Sequence, residues 1–167
     1  MRYFLSAMVI GLCWATLPPE VSGWYVIRHR PAVQLAGKDS KMEKPGHFRI
    51  ASSQEWDKLW QTHRGQGGTA PQIDFDKYMA IAIFLGPQQE TYEVQVKEIV
   101  EQKGGGMYLI YRRAKVQDTS GPSSPYCLLV LPRNLKGMRV YEDVHPRPEC
   151  GGTQNLERAT FVDASKP

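Results

Sequence analysis

Apolar and polar positions along the chain follow two periods. Ser52 with Glu55 three residues later forms a capping box. After it, Trp56, Leu59, Trp60 and His63 recur at i, i+3, i+4 and i+7, which predicts a helix with one aromatic face. A helix this short is marginal alone in water, so its tryptophan stripe needs a sheet to dock on. Elsewhere the period is two. Residues 47–50 alternate, as do Tyr92, Val94 and Val96 against Glu93, Gln95 and Lys97, predicting strands with one wet face. Residues 78–85 are apolar on both faces, the pattern of a central strand covered on each side. Residues 107–112, 126–131 and 138–141 supply three more strands, and Trp24 to Ile27 suit a short one.

The connections between these strands are short and carry no helical pattern, so antiparallel pairing is expected throughout. The predicted class is α+β, mainly β: an antiparallel β-meander of about five or six strands with one amphipathic helix packed on it. In such a meander the loops at 86–91 and 114–125 lie at one end of the sheet, and the turns at 104–106 and 132–137 at the other. The first end carries the greater variety of polar side chains, and binding residues concentrate on loops held by a scaffold. Its candidate partner-binding residues are Pro87, Gln88, Gln89, Glu90, Lys115, Gln117, Asp118, Ser120, Ser123 and Ser124.

The remaining stretches set the boundaries. Residues 1–23 read as a signal peptide: Arg2, an apolar stretch to Ala15 too short to span a bilayer, which needs roughly 20 apolar residues, then Val21-Ser22-Gly23 as a small-residue cleavage site. A retained anchor and a lipid on Cys13 are the alternatives, although Leu12 is a poor neighbour for lipidation. Residues 24–46 form a lead-in segment, 47–142 the folded domain and 143–167 a partly disordered tail. An export signal places the protein outside the cell or in the periplasm or envelope, where Cys127 and Cys150 are a possible disulfide. Closing that loop would be worth on the order of 3 kcal/mol; two unlinked thiols are the equal alternative.

Residue chemistry points away from catalysis. The 167-residue chain has 21 Lys+Arg against 17 Asp+Glu, a net +4 spread along the sequence, which favours solubility and no nucleic-acid partner. The histidines, His29, His47, His63 and His145, have no metal-ligand spacing, so no metal is expected. No nucleophile elbow, phosphate loop or dinucleotide fingerprint appears, so neither cofactor nor enzyme is expected. Asp74 and Asp76 flank Phe75 before the central strand, where short acidic residues commonly satisfy backbone donors. His63 reads as a packing residue or a cation near the helix C-terminus.

The run Phe48-Arg49-Ile50-Ala51-Ser52-Ser53-Gln54-Glu55-Trp56-Asp57-Lys58-Leu59-Trp60, the block from Ile73-Asp74-Phe75 to Leu85-Gly86, and Ser124-Pro125-Tyr126 leading to Pro132 resemble the C-terminal domain of the protease complex subunit PrcB family. The likeness spans residues 47–142, with Trp56, Trp60, Asp74 and Phe75 as its structural markers. Where that family carries a Gly-rich turn, this chain has Pro87-Gln88-Gln89-Glu90. The resemblance implies an exported, non-enzymatic binding module that associates with and stabilises an extracellular protease. A protease inhibitor using the same loops and a structural envelope protein are the alternatives. The membrane is a partner only if the signal segment is retained.

Overall fold

Residues 27–65, 68–117, 121–144 and 154–164 are described by a computed structural model of the chain; the signal-peptide reading, Cys13 and Trp24 to Val26 lie outside them. The described elements are β1 (Ile27–Arg28), β2 (Val33–Gly37), β3 (Gly46–Ile50), α1 (Ser53–Arg64), β4 (Tyr78–Phe84), β5 (Tyr92–Glu101), β6 (Met107–Lys115), β7 (Tyr126–Pro132), β8 (Met138–Val144) and β9 (Gln154–Phe161). The class is the expected one, mainly β with one helix.

The capping box forms as the sequence predicts. Ser52 Oγ accepts from the Glu55 amide at 3.3 Å, and Glu55 Oε2 accepts from the Ala51 amide at 3.0 Å. Gly65 ends the helix with φ +79°, its amide donating to Gln61 O at 2.7 Å. Trp56 and Trp60 are buried, their rings 5.5 Å apart, in a core with Ile50, Ala80, Ala82, Phe84, Tyr126 and Leu128. Small side chains at Ala80 and Ala82 leave room for the two indoles against the sheet.

The other face of the same strand builds a second core. Met79, Ile81 and Ile83 of β4, with Cys127, Leu129 and Leu131 of β7, meet Val94, Ile99, Leu109, Tyr111, Met138 and Val140 from the second sheet. Three layers result: α1, a four-stranded sheet ordered β2-β7-β4-β3, and a five-stranded sheet ordered β1-β5-β6-β8-β9. On one side Arg49 of β3 bridges the sheets, donating to Lys136 O at 2.7 Å and Val162 O at 2.8 Å, with its guanidinium 5.6 Å from the Phe161 ring centre.

The strand arrangement corrects the single meander in three respects. There are two sheets and nine strands among the described residues. Strands β6 and β8 pair in parallel, Met107 with Met138 through Tyr111 with Glu142. The length argument for antiparallel pairing failed because β7, lying in the opposite sheet, is itself the crossover. Finally, the lead-in segment supplies β1 and β2, and the stretch read as a tail supplies the end of β8 and all of β9. Replacing Trp60 with Ala is expected to cost about 3–5 kcal/mol and Ser52 with Ala about 1 kcal/mol. Urea unfolding of the two variants checks the ranking.

Candidate functional site

At the end of the sandwich where β4 and β6 finish, two connections are hydrogen bonded to one another. The Gln88 amide donates to Ser123 O at 2.7 Å and the Ser123 amide to Gln88 O at 3.0 Å. Thr91 Oγ1 donates to Gly121 O at 3.2 Å, and the Val116 amide to Thr91 O at 3.0 Å. The Leu85 amide, donating to Pro125 O at 3.0 Å, continues the β4–β7 ladder into this pairing. Gly86 turns the chain out of β4 with φ +68°, and a Cβ there would stand 2.9 Å from Pro45 N, so only glycine fits.

The candidate residues divide by role. Gln88, Ser123 and Ser124 are tied inward: Gln88 Nε2 donates to Leu85 O at 2.8 Å, Ser123 Oγ to Glu90 O at 3.1 Å, and the Ser124 amide to Lys38 O at 2.8 Å. Pro87, Gln89, Glu90, Lys115 and Gln117 are exposed, with Lys115 Nζ 2.7 Å from Glu90 Oε1. Asp118 and Ser120 lie outside the described residues, as do Cys150 and His145. Cys127 is a free thiol buried between the sheets, and burial pushes its pKa up to about 12, so it is no nucleophile.

The remaining chemical groups are accounted for by packing. Asp74 Oδ1 accepts from the Asp76 amide at 3.1 Å and its Oδ2 lies 2.8 Å from Lys77 Nζ, whose hydrogen bond holds the carboxyl below its usual range. Phe75 packs against the helix core. His63 and Ser40 form a contact that the sequence does not announce, Nδ1 to Oγ at 2.9 Å. Such a pair invites a nucleophile–base reading, yet both residues are buried and Ser40 Oγ also accepts from the Met42 amide at 3.1 Å. Rings of Trp60, Phe84 and Tyr126 surround the imidazole. Burial, with Arg64 adding, lowers the His63 pKa to about 4, so it is neutral rather than a helix-end cation.

A second polar cluster lies near the loops. Beyond Tyr111 and Glu142 the parallel pair separates: β6 continues beside β5 to Lys115, and β8 beside β9 to Val144. The open fork encloses a cleft of about 510 Å³ lined by Arg112, Arg113, Ala114, Glu142, Asp143 and Val144. Glu142 is buried and clamped, Oε1 2.6 Å from Arg113 Nε and Oε2 2.6 Å from Arg158 Nε. Asp143 pairs with Lys97. Lys97, between Val96 and Glu98 in β5, and Arg158, between Glu157 and Ala159 in β9, are the extra residues of two β-bulges, the first opposite Tyr111/Ile110 of β6 and the second opposite Val140/Tyr141 of β8, and bulges re-aim side chains. Below, Tyr111 hydroxyl is 3.0 Å from His47 Nε2. Burial, then the charge of Arg158, lowers the His47 pKa to about 4.

No family model, curated protein or solved structure matches the chain. The geometry therefore carries the functional argument.

Sequence reading missed the fork, although one signal was present. Alternation places Glu142 in phase with the core residues Met138 and Val140, and Arg113 in phase with Leu109 and Tyr111. An ionisable residue on the apolar phase of a strand needs a buried partner.

Both histidines stay neutral in the folded chain below the pH at which the unfolded chain protonates them. The unfolded state therefore binds more protons between about pH 6.5 and 4. This stability is complete above pH 6.5 and is lost as pH falls towards 4. Melting temperature measured from pH 7 to 4.5 should fall more steeply for the wild type than for His47→Gln/His63→Gln.

Proposed function

We propose that the protein is an exported, non-enzymatic protein-binding module, an accessory subunit that associates with and stabilises an extracellular protease. The end of the sandwich built from residues 86–91 and 114–125 is its contact surface. The observation that carries this reading is the reciprocal Gln88–Ser123 hydrogen bonding, which ties together the β4–β5 and β6–β7 connections, both of which cross from one sheet to the other at this end. Loops fixed before binding lose little conformational entropy on association. The exposed Pro87, Gln89, Glu90, Lys115 and Gln117 then supply side chains without straining the frame. The protease as partner rests on the resemblance at residues 47–142, and export on the reading of residues 1–23.

The test is capture of an envelope protease from the native source by tagged wild type and by a Gln89→Ala/Glu90→Ala/Lys115→Ala variant. The Glu90–Lys115 pair is exposed, so its removal should leave melting nearly unchanged. Capture is expected to fall at least about tenfold. Equal capture by the variant would remove the loops from the interface. With the purified protease, an accessory subunit maintains or raises activity; a fall in activity would make the protein an inhibitor.

A further inference from the structure

Within the protein-binding role proposed above, we infer that the fork between β6 and β8 is a second contact point, which seats carboxylate side chains of an acidic segment of the partner.

The polarity of the fork supports this. Its two carboxylates are at the bottom: the Glu142 side chain is 5% exposed and that of Asp143 0%. The cations above them are open to solvent, Arg113 at 35%, Arg158 at 32% and Lys97 at 39%. Arg112 is exposed and bonds through Nε to the neutral Gln95 at 2.8 Å. By strand alternation Arg113 shares the core-facing side with Glu142, and Arg112 the opposite side with Asp143; among the described residues Arg113 and Arg158 outnumber Glu142 on one side of the fork and Lys97 and Arg112 outnumber Asp143 on the other, a surplus of one cation on each. Of the acidic groups on the adjoining strands nearest the fork, Glu93 accepts from Gln95, Glu98 pairs with Arg28 and Glu157 accepts from Thr160, and none of the three bonds a cation of the fork.

Those cations also retain donors. Glu142 engages Nε and Nη2 of Arg113 and Nε of Arg158; the other guanidinium nitrogens of both have no acceptor among the described residues. A guanidinium pinned by a buried carboxylate is set to take a second carboxylate in the same forked geometry. Two bulges, one on each side of the fork, bring Lys97 and Arg158 to this point, where a regular ladder would alternate them differently. Glu142 itself cannot serve as a base, since both its oxygens are taken by guanidinium groups.

An acidic peptide segment is favoured over a small anion by shape and place. The cleft is an open wedge rather than a closed pocket, and β6 runs from it through Ala114 into Lys115, whose side chain meets Glu90 of the proposed contact surface. A partner lying across the paired loops would reach the fork without leaving the surface.

Fluorescence anisotropy with fluorescein-labelled hexaglutamate, at low ionic strength and with the purified chain, tests this. Saturable binding is expected, weakened about tenfold in Arg112→Gln and in Arg158→Gln, and unchanged in Lys103→Gln at the opposite end. Melting curves accompany each variant; Arg112 does not touch Glu142, so Arg112→Gln remains informative if Arg158→Gln loses its fold. Absence of wild-type binding, or equal weakening in Lys103→Gln, would overturn the proposal. So would displacement of the peptide by inorganic phosphate at concentrations matching the peptide's own affinity. Loss of the fork in this assay while protease capture still depends on residues 89, 90 and 115 would remove this contact and leave the loop surface standing.

Discussion

Strand β4 has no wet face, and the rest of the molecule is arranged around that constraint. Its odd residues, Met79, Ile81 and Ile83, need one cover, and its even residues, Ala80, Ala82 and Phe84, need another. A single sheet cannot satisfy both, so the five-stranded sheet closes over one side and the tryptophan helix over the other. Each Trp buries on the order of 150–250 Å², which is what allows a helix of only three turns to act as a layer. The loop leaving β4 and the loop entering β7 inherit their position from this frame, since Leu85 and Pro125 extend the ladder directly into Gln88 and Ser123.

Two kinds of polar arrangement follow from burial on this scale. At the helix end, the hydrogen bond between Ser40 Oγ and His63 Nδ1 holds the segment before β3 against α1, a structural use of groups that elsewhere do chemistry. At the fork, buried carboxylates are tolerated because each is paired with a cation, and such charges are costly to leave alone. The first arrangement is sealed from solvent. The second opens to it, which is why the fork and not the Ser–His pair bears on recognition.

The sequence announces what local chemistry decides and conceals what topology decides. The Ser52–Glu55 capping box, the Trp56/Trp60 stripe and the two-sided run of β4 are all local signals, and each forms as read. The shared end of the 86–91 and 114–125 loops also followed from strand alternation, even though the strands belong to two sheets. The parallel β6–β8 pairing was hidden because nothing in residues 126–132 tells which sheet they join. Strand β9 was hidden because Gln154–Phe161 is an exposed edge strand, with few apolar positions to mark a period. Arg158, far along the chain from Arg113, becomes part of the site only once β9 lies against β8 with a bulge at that residue.

Residues 85–88 and 123–125 of the two connections are hydrogen bonded as an extension of the doubly covered core. Native-state hydrogen exchange at the Leu85, Gln88 and Ser123 amides, compared with Ile81 and Ile83 in β4, tests it most directly. The three amides should be strongly protected, exchanging through the same large-scale opening that exposes β4. Exchange at Gln88 and Ser123 as fast as in an unstructured peptide, with β4 still protected, would contradict it.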